Sequence, residues 1–218
     1  MTRKLRIPTA ILMAIALVAG GASTAWAIDN IVPTANYNFT CQNATQLNPK
    51  NVCRTDNAST GWWMERNIDF TTSASDTTAE ININKTMNNS YDGTDLDTFY
   101  DSTPVFSGAG ETDVIYRSNN AAFGSTDFIG YTWCDDDEGG STYECDQQYV
   151  NFRSLGANRA LACHETGHSV GLLHGDNASP YVNPRDPDND YMACMTNPLV
   201  NGRELLEPSN VANINGAY

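Results

Sequence analysis

The sequence predicts an α+β fold, and three observations support this prediction. Short runs of β-branched and aromatic residues, bounded by Gly, Asn and Ser, recur between residues 78 and 153, a pattern typical of strands. A helix is predicted next, and Gly171 is placed to end it. A loop-rich tail is predicted to follow the turn at Gly171. Strands followed by a helix and a separate tail indicate an α+β protein.

Residues 1–27 predict a secretory signal peptide. An apolar run from Ile7 to Val18 follows three basic residues, and Ala25-Trp26-Ala27 forms an A-x-A cleavage site. The alternative is a membrane anchor, but the uninterrupted apolar run is shorter than the ~20 residues that a span requires. We therefore expect cleavage after Ala27 and export of the chain.

Residues 28–218 are predicted to form one domain, because this length suits a single core. Loss of Arg3, Lys4 and Arg6 with the signal peptide takes the net charge from −14 to −17. Such an acidic chain is repelled by nucleic acid and by anionic membranes, so neither is expected as a partner. We expect a secreted, extracellular monomer.

The predicted elements follow in chain order. Residues up to about Thr60 show no period and predict irregular structure, and Trp62 and Trp63 begin the packed body. Alternation of Ala79, Ile81 and Ile83 predicts a half-buried strand over Thr78–Asn84. A short helix is predicted at Thr94–Tyr100, and further strands are predicted at Asp113–Arg117, Phe128–Trp133 and Tyr149–Arg153.

Six cysteines in an exported chain predict three disulfides. Nearness in sequence pairs Cys41 with Cys53 and Cys134 with Cys145, which leaves Cys163 with Cys194. The alternative is that Cys53 is a functional free thiol, and pairing with Cys41 removes that thiol.

All three histidines of the chain lie between positions 164 and 174. His164 and His168 are spaced i, i+4, so both imidazoles leave the same face of a helix. Neutral imidazoles suit zinc, and a catalytic zinc usually has three protein ligands. Gly171 allows the chain to turn back, which brings His174 within reach as the third ligand, with Asp176 as the alternative.

Glu165 follows the first of these histidines. A carboxylate at this position can accept a proton from a zinc-bound water, whose pKa the metal lowers toward about 7. The predicted site therefore has three metal ligands, His164, His168 and His174, and one general base, Glu165.

The stretch from His164 to His174 reads HExxHxxGxxH and resembles the extended zinc signature of the metzincin metalloproteases. The resemblance is tight over Cys163–Gly175 and loose over the remaining mature chain. Within the clan, the chain is similar to small secreted actinobacterial, snapalysin-like enzymes. Those enzymes are associated with an aspartate as the third ligand, whereas this chain offers His174. The resemblance implies a small twisted mixed sheet with an active-site helix above a loop-rich C-terminal subdomain.

The same resemblance implies a buried methionine beneath the zinc, and Met192 and Met195 are the candidates. We expect Met195, because Cys194 before it then lies near the ligand helix and can pair with Cys163. No tyrosine stands two residues after either methionine, so the fifth, tyrosine ligand of the astacin kind is not expected.

Two acidic stretches, Asp135–Glu138 and the alternating Asp186, Asp188 and Asp190, resemble the opening of a calcium loop. The glycine and closing glutamate of an EF-hand are missing. Solvated acidic loops are the favoured interpretation, and calcium is the alternative.

These observations predict a secreted zinc endopeptidase that hydrolyses protein or peptide substrates without a covalent intermediate. The strand around Phe128–Trp133 is the predicted edge that aligns an extended peptide. Two other functions are compatible with the sequence: a non-catalytic zinc-binding or adhesion domain, and a zinc amidase that acts on cell-wall peptides. Glu165 favours catalysis, because a structural zinc site needs no base.

Overall fold

The computed structural model describes residues 28–45, 47–56, 58–65, 78–108, 110–118, 123, 127–137, 139, 143–153, 156–186 and 191–218. The predicted signal peptide lies outside these described residues. Within them, one six-stranded sheet is combined with three α-helices. The α+β prediction is therefore confirmed. Among the described helices, none is both long enough and apolar enough to cross a membrane.

The sheet is mixed. Its strands are β1 (Arg54–Thr55), β2 (Gly61–Glu65), β3 (Phe99–Tyr100), β4 (Val114–Ser118), β5 (Gly130–Asp137) and β6 (Glu144–Phe152). The order is β1-β6-β4-β2-β3, in which all pairs are parallel. Strand β5 pairs with β6 in the antiparallel direction.

Strand β5 is an edge strand, because β6 is the one strand of the described chain with which it pairs. The amide of Arg153 donates to the carbonyl of Ile129 at 2.9 Å. Because hydrogen-bonded and non-hydrogen-bonded pairs alternate along an antiparallel ladder, the backbone groups of Gly130 and Thr132 point away from β6. The strand predicted at Phe128–Trp133 is confirmed, but it begins two residues later.

The strand predicted at Thr78–Asn84 is wrong: these residues belong to helix α1, Thr78–Thr86. The buried residues are Ala79, Ile83 and Thr86, and this spacing of four and three is helical. Ile81, the middle member of the supposed alternation, is 43% exposed. Burial of one helical face against the rest of the fold therefore favours a helix over a strand for this segment.

The short helix predicted at Thr94–Tyr100 is also wrong. The amide of Asp97 donates to the carbonyl of Ala58, and that of Phe99 donates to Thr60. Because these amides donate to the segment that precedes β2, they cannot form the hydrogen bonds of a helix. The segment instead ends in β3, which pairs with β2.

The strands predicted at Asp113–Arg117 and Tyr149–Arg153 are confirmed as β4 and β6. Helix α2, Arg159–Ser169, follows β6. It begins at Asn158, whose side chain accepts from the amide of Leu161 at 2.9 Å, as expected of an N-cap asparagine. The helix packs on α1 and on the sheet, where Tyr91 donates to the carbonyl of Cys163 and Tyr116 shares a hydrogen bond with Thr166.

All three predicted disulfides form: Cys41–Cys53, Cys134–Cys145 and Cys163–Cys194. After α2 the chain is largely irregular, as predicted, with short 3-10 turns at Gly175–Asn177 and Ala193–Met195. A third helix, α3, spans Pro208–Ala217 and was not predicted. The feature of the sequence that indicates this helix is Pro208, which occupies the first helical position, where proline is favoured.

Candidate metal centre

Helix α2 carries the first two predicted ligands on one face. His164 and His168 lie one turn apart, and their ring centroids are 4.8 Å apart. The helix ends at Ser169, and Gly171 takes a φ of 89°, the left-handed conformation that glycine adopts without strain. The chain turns back there, as predicted, and returns His174 to the same point.

The three imidazoles converge through their Nε2 atoms. Nε2 of His174 lies 3.0 Å from Nε2 of His164 and 3.1 Å from Nε2 of His168. Three nitrogens at 2.0–2.1 Å from one zinc in tetrahedral geometry stand about 3.3 Å apart. The structure thus brings all three predicted ligands together at a spacing that fits zinc.

The Nδ1 atoms of the two helical histidines are fixed by backbone carbonyls. Nδ1 of His164 lies 2.6 Å from the carbonyl oxygen of Cys194, and Nδ1 of His168 lies 2.8 Å from that of Leu172. A carbonyl can only accept, so each Nδ1 carries the proton. Each Nε2 therefore offers a lone pair, which is the tautomer that binds a metal.

His174 has a different partner. Its Nδ1 lies 3.4 Å from the side-chain amide of Asn197. The amide atom nearest the ring is Nδ2; an amide turned by 180° would present Oδ1 and accept the Nδ1 proton in the same way as the carbonyls above. Asn197 stands two residues after Met195, where the astacin kind of site has tyrosine, and sequence reasoning did not single it out as a partner.

Burial favours the neutral, metal-binding form of the histidines. It lowers the pKa of His164 to about 3, with the charge of His168 adding to the effect and the Cys194 carbonyl opposing it. It lowers the pKa of His174 to about 2, with help from the charges of His168 and His164. Three protonated rings at this distance would repel each other, so the neutral form is favoured, and in that form the group could bind a metal ion.

Glu165 lies beside this cluster and is buried. Burial raises the pKa of its carboxyl to about 8, while a hydrogen bond from Thr132 opposes the shift. The Thr132 hydroxyl lies 2.9 Å from the Glu165 carbonyl and 3.2 Å from Oε2. A cation held by the histidines acts in the opposite direction on this carboxyl, because it favours the charged form.

Met195 packs beneath the ligand helix. A Cβ built on Gly167 of α2 would lie 2.3 Å from the Met195 sulfur, and Met195 is fully buried. Met192 is also buried, but the contact with Gly167 is made by Met195. The Cys163–Cys194 disulfide joins the same two segments, as the sequence predicted.

A cleft of about 500 Å³ opens over the centre. Residues of the N-terminal part form one wall, and the start of β5 forms another. Apolar side chains next to α2 complete the lining. The lining includes Tyr37, Val52, Phe128, Gly130, Thr132, Leu161, Pro198 and Leu199.

Both predicted acidic stretches lie partly outside the described residues. Asp188, Asp190 and Glu138 lie outside the described residues. Asp136 has a carboxylate oxygen within 4.8 Å of those of Glu111 and Asp146. Exposed acidic groups cluster in this way without an ion, so solvated acidic loops stay the prediction and calcium stays the alternative.

The chain matches no protein-family model, and no curated protein is significantly similar to it. The class of site is therefore defined by the geometry: a three-histidine centre that could bind a metal ion, with a buried glutamate beside it and the start of edge strand β5 in the lining of the same cleft.

Proposed function

We propose that this protein is a secreted zinc endopeptidase of the metzincin type. The observation that carries the proposal is the convergence of three imidazole Nε2 atoms beside the Glu165 carboxyl, next to the start of edge strand β5, where the backbone groups of Gly130 and Thr132 point away from β6. A structural zinc site has four protein ligands and no base. Here the described residues supply three histidine ligands, and the Glu165 carboxyl lies beside them without belonging to the ligand set.

His164, His168 and His174 would hold the ion. When bound there, zinc supplies Lewis acidity, which polarises a carbonyl and makes water a nucleophile near neutral pH. The chain's own residues do the rest. Glu165 accepts the proton of the attacking water and returns it to the leaving amine, so its carboxyl acts as base and then as acid.

The edge of β5 supports a peptide as the substrate. Gly130 and Thr132 direct backbone groups away from β6, and an extended peptide can pair with them as an added strand. The Gly130 backbone lies directly against Glu165. A peptide paired at this point passes the base and the histidine cluster, which brings its carbonyl to the reacting groups.

The lining of the cleft supports recognition of apolar side chains. Leu161 precedes His164 by almost one turn of α2, and Pro198 and Leu199 line the same cleft. Tyr37 and Val52 belong to the N-terminal part of its lining. Apolar walls exclude water from the reacting groups, which strengthens electrostatic interactions there.

The disulfides support an oxidising compartment, because cytosolic proteins rarely retain them. With the signal peptide predicted at residues 1–27, this favours secretion. N-terminal sequencing of the exported protein tests the prediction: the mature chain is expected to begin at Ile28.

The central experiment compares wild-type protein with Glu165→Ala and His174→Ala. Casein digestion is measured with and without a zinc chelator and after zinc is restored, and the cut bonds are mapped. Glu165→Ala should retain zinc and lose hydrolysis by about 10²–10⁴-fold, the usual range for a general base. His174→Ala should lose zinc on dialysis.

Asp176→Ala is the matched control, because Asp176 is an exposed carboxylate two residues after His174. It should retain zinc and activity. Full peptidase activity in Glu165→Ala contradicts the mechanism, and unchanged zinc content in His174→Ala makes Asp176 the ligand to test. Zinc binding without hydrolysis of any peptide favours the non-catalytic domain, and cleavage confined to cell-wall peptides favours the amidase.

A further inference from the structure

The N-terminal segment, residues 28–37, lies along the ligand loop, residues 171–179. Asp29 pairs with Ser179 and Ile31 pairs with Leu172, both antiparallel. The amide of Leu173 donates to the carbonyl of Asn30 at 2.7 Å, and that of Ser179 donates to Asp29 at 2.7 Å. These contacts hold the chain on both sides of His174.

Asn30 is the centre of this contact. It is fully buried, and its Nδ2 donates to the carbonyl of Leu173 at 3.0 Å. Its Oδ1 accepts from Asn210 at 3.2 Å and from Asn213 at 2.6 Å, both on α3. One side chain thus links the N-terminal segment, the residue before His174 and the last helix.

The turn that returns the chain to the metal centre is covered by the same segment. A Cβ on Gly171 would lie 3.1 Å from Val32 Cγ2 and 3.3 Å from Ile31 Cγ1, and 2.7 Å from Cβ of Arg54. Glycine is therefore required at this position for two reasons, its left-handed φ and the close approach of these side chains. The turn and the N-terminal segment fit together as one unit.

We propose that the N-terminal segment completes the metal centre and that Asn30 is the positioning residue for His174. His164 and His168 are fixed by a helix, but His174 lies in extended backbone between the turn and a short 3-10 segment. A ligand on such a loop must be ordered when the metal binds, and that ordering weakens affinity. The hydrogen bonds from Asn30 order it in advance, so metal affinity depends on the docked segment.

The inference rests on the metal centre of the proposed function, but it does not depend on peptide hydrolysis. The test is the zinc dissociation constant, measured by competition with a chromophoric chelator, for wild-type protein and Asn30→Ala. Partners of metal ligands typically change affinity by 10–100-fold, and we expect a loss in this range. The visible spectrum of the cobalt-substituted protein should change as well, because His174 is no longer held in place.

Asn51→Ala is the matched control. Asn51 also donates its side-chain amide to a backbone carbonyl, that of Thr40, but it is exposed at that contact and lies outside the N-terminal segment. It should leave zinc affinity and the cobalt spectrum unchanged. Thermal unfolding of the zinc-free proteins fixes a temperature at which every variant is folded, so that the affinities are compared among folded proteins.

Asn213→Ala keeps the proposal testable if Asn30→Ala does not fold. Its side chain is part-buried and orients Oδ1 of Asn30, so a smaller loss of zinc affinity is expected. The inference is overturned if folded Asn30→Ala binds zinc as tightly as the wild-type protein. If Asn30→Ala does not fold, the same result in Asn213→Ala overturns it. An equal loss in Asn51→Ala overturns it too. Wild-type protein that binds zinc but cuts no peptide contradicts the proposed function alone.

Discussion

Gly130 and Glu165 are in direct contact within the lining of the cleft. A Cβ at position 130 would lie 2.6 Å from Oε1 of Glu165 and 2.9 Å from its Cδ and Cγ. The edge strand that is proposed to align the substrate therefore also fixes the position of the proposed base. Because the Glu165 side chain borders the cleft, a side chain added at position 130 would displace the carboxyl rather than fit beside it.

Gly130→Ala should displace the Glu165 carboxyl and lower kcat. A displacement of about 1 Å in a reacting group can reduce the rate by about 100-fold. Zinc content should be unchanged, because the three histidines lie on other segments. Steady-state kinetics on a peptide substrate and metal analysis of the same sample measure the two effects.

The control for this substitution is Gly93→Ala. A Cβ at Gly93 meets nothing within 4 Å, so the same added methyl group should leave kcat unchanged. If Gly130→Ala behaves like Gly93→Ala, the contact with Glu165 does not position the base.

Thr132→Val should lower kcat by about tenfold. It removes the hydroxyl that contacts Oε2 and the carbonyl of Glu165 and keeps the shape of the side chain. A hydrogen bond to a charged group contributes about 1.5–3 kcal/mol, and about 1.4 kcal/mol corresponds to a factor of ten. Thr132→Ser keeps the hydroxyl and should retain most of the activity, whereas equal losses in the two variants would show that packing, not the hydrogen bond, is responsible.

The metal centre could be predicted from the sequence because its information is local. His164 and His168 share a helical face by their spacing alone, and Gly171 marks the turn that returns His174. The disulfide pairing was also predicted, since nearness left one partner for Cys163. The histidines lie close together in sequence, and Cys163 and Cys194 are the two cysteines that remain once the other four are paired.

The contacts that orient the centre could not be predicted in this way. Asn30 and Leu173 are separated by 143 positions, and Thr132 and Glu165 by 33, with no spacing rule to connect them. Helix α1 was missed for a related reason. Ala79 and Ile83 satisfy both a period of two and a spacing of four, and burial by the rest of the fold selects the helix.

Loss of the Cys163–Cys194 disulfide should weaken both stability and zinc binding. The bridge links positions 31 residues apart, which contributes roughly 3–4 kcal/mol in the chain-entropy model. It also holds the Cys194 carbonyl that accepts from His164. The double variant Cys163→Ser with Cys194→Ser should therefore unfold at lower denaturant concentration and bind zinc more weakly.

The comparison is the double variant Cys41→Ser with Cys53→Ser. That bridge spans 12 residues, and the Nδ1 atoms of the three histidines have their hydrogen-bond partners on other residues. Its loss should lower the free energy of unfolding and leave the zinc dissociation constant of the folded protein unchanged. Equal effects of the two double variants on zinc affinity would rule out a specific role for Cys194.

Gly167 and Met195 should show strong coupling in a double-mutant cycle. Alanine usually stabilises a helix interior relative to glycine by about 1 kcal/mol, and Gly216→Ala in α3, where nothing lies within 4 Å, should be neutral or stabilising. At Gly167 the added Cβ would lie 2.3 Å from the buried Met195 sulfur. Overpacking of this kind typically costs about 1–3 kcal/mol, so Gly167→Ala should destabilise the protein.

Met195→Ala leaves a cavity and should cost about 2–5 kcal/mol alone. In the double variant the methyl group added at position 167 no longer meets the sulfur and fills part of that cavity. The combined loss should therefore be smaller than the sum of the two single losses by about 1 kcal/mol or more, the range found for residues in contact. Denaturant unfolding of the zinc-free proteins measures all four states of the cycle. Additive losses would show that Met195 does not support the helix that carries His164 and His168.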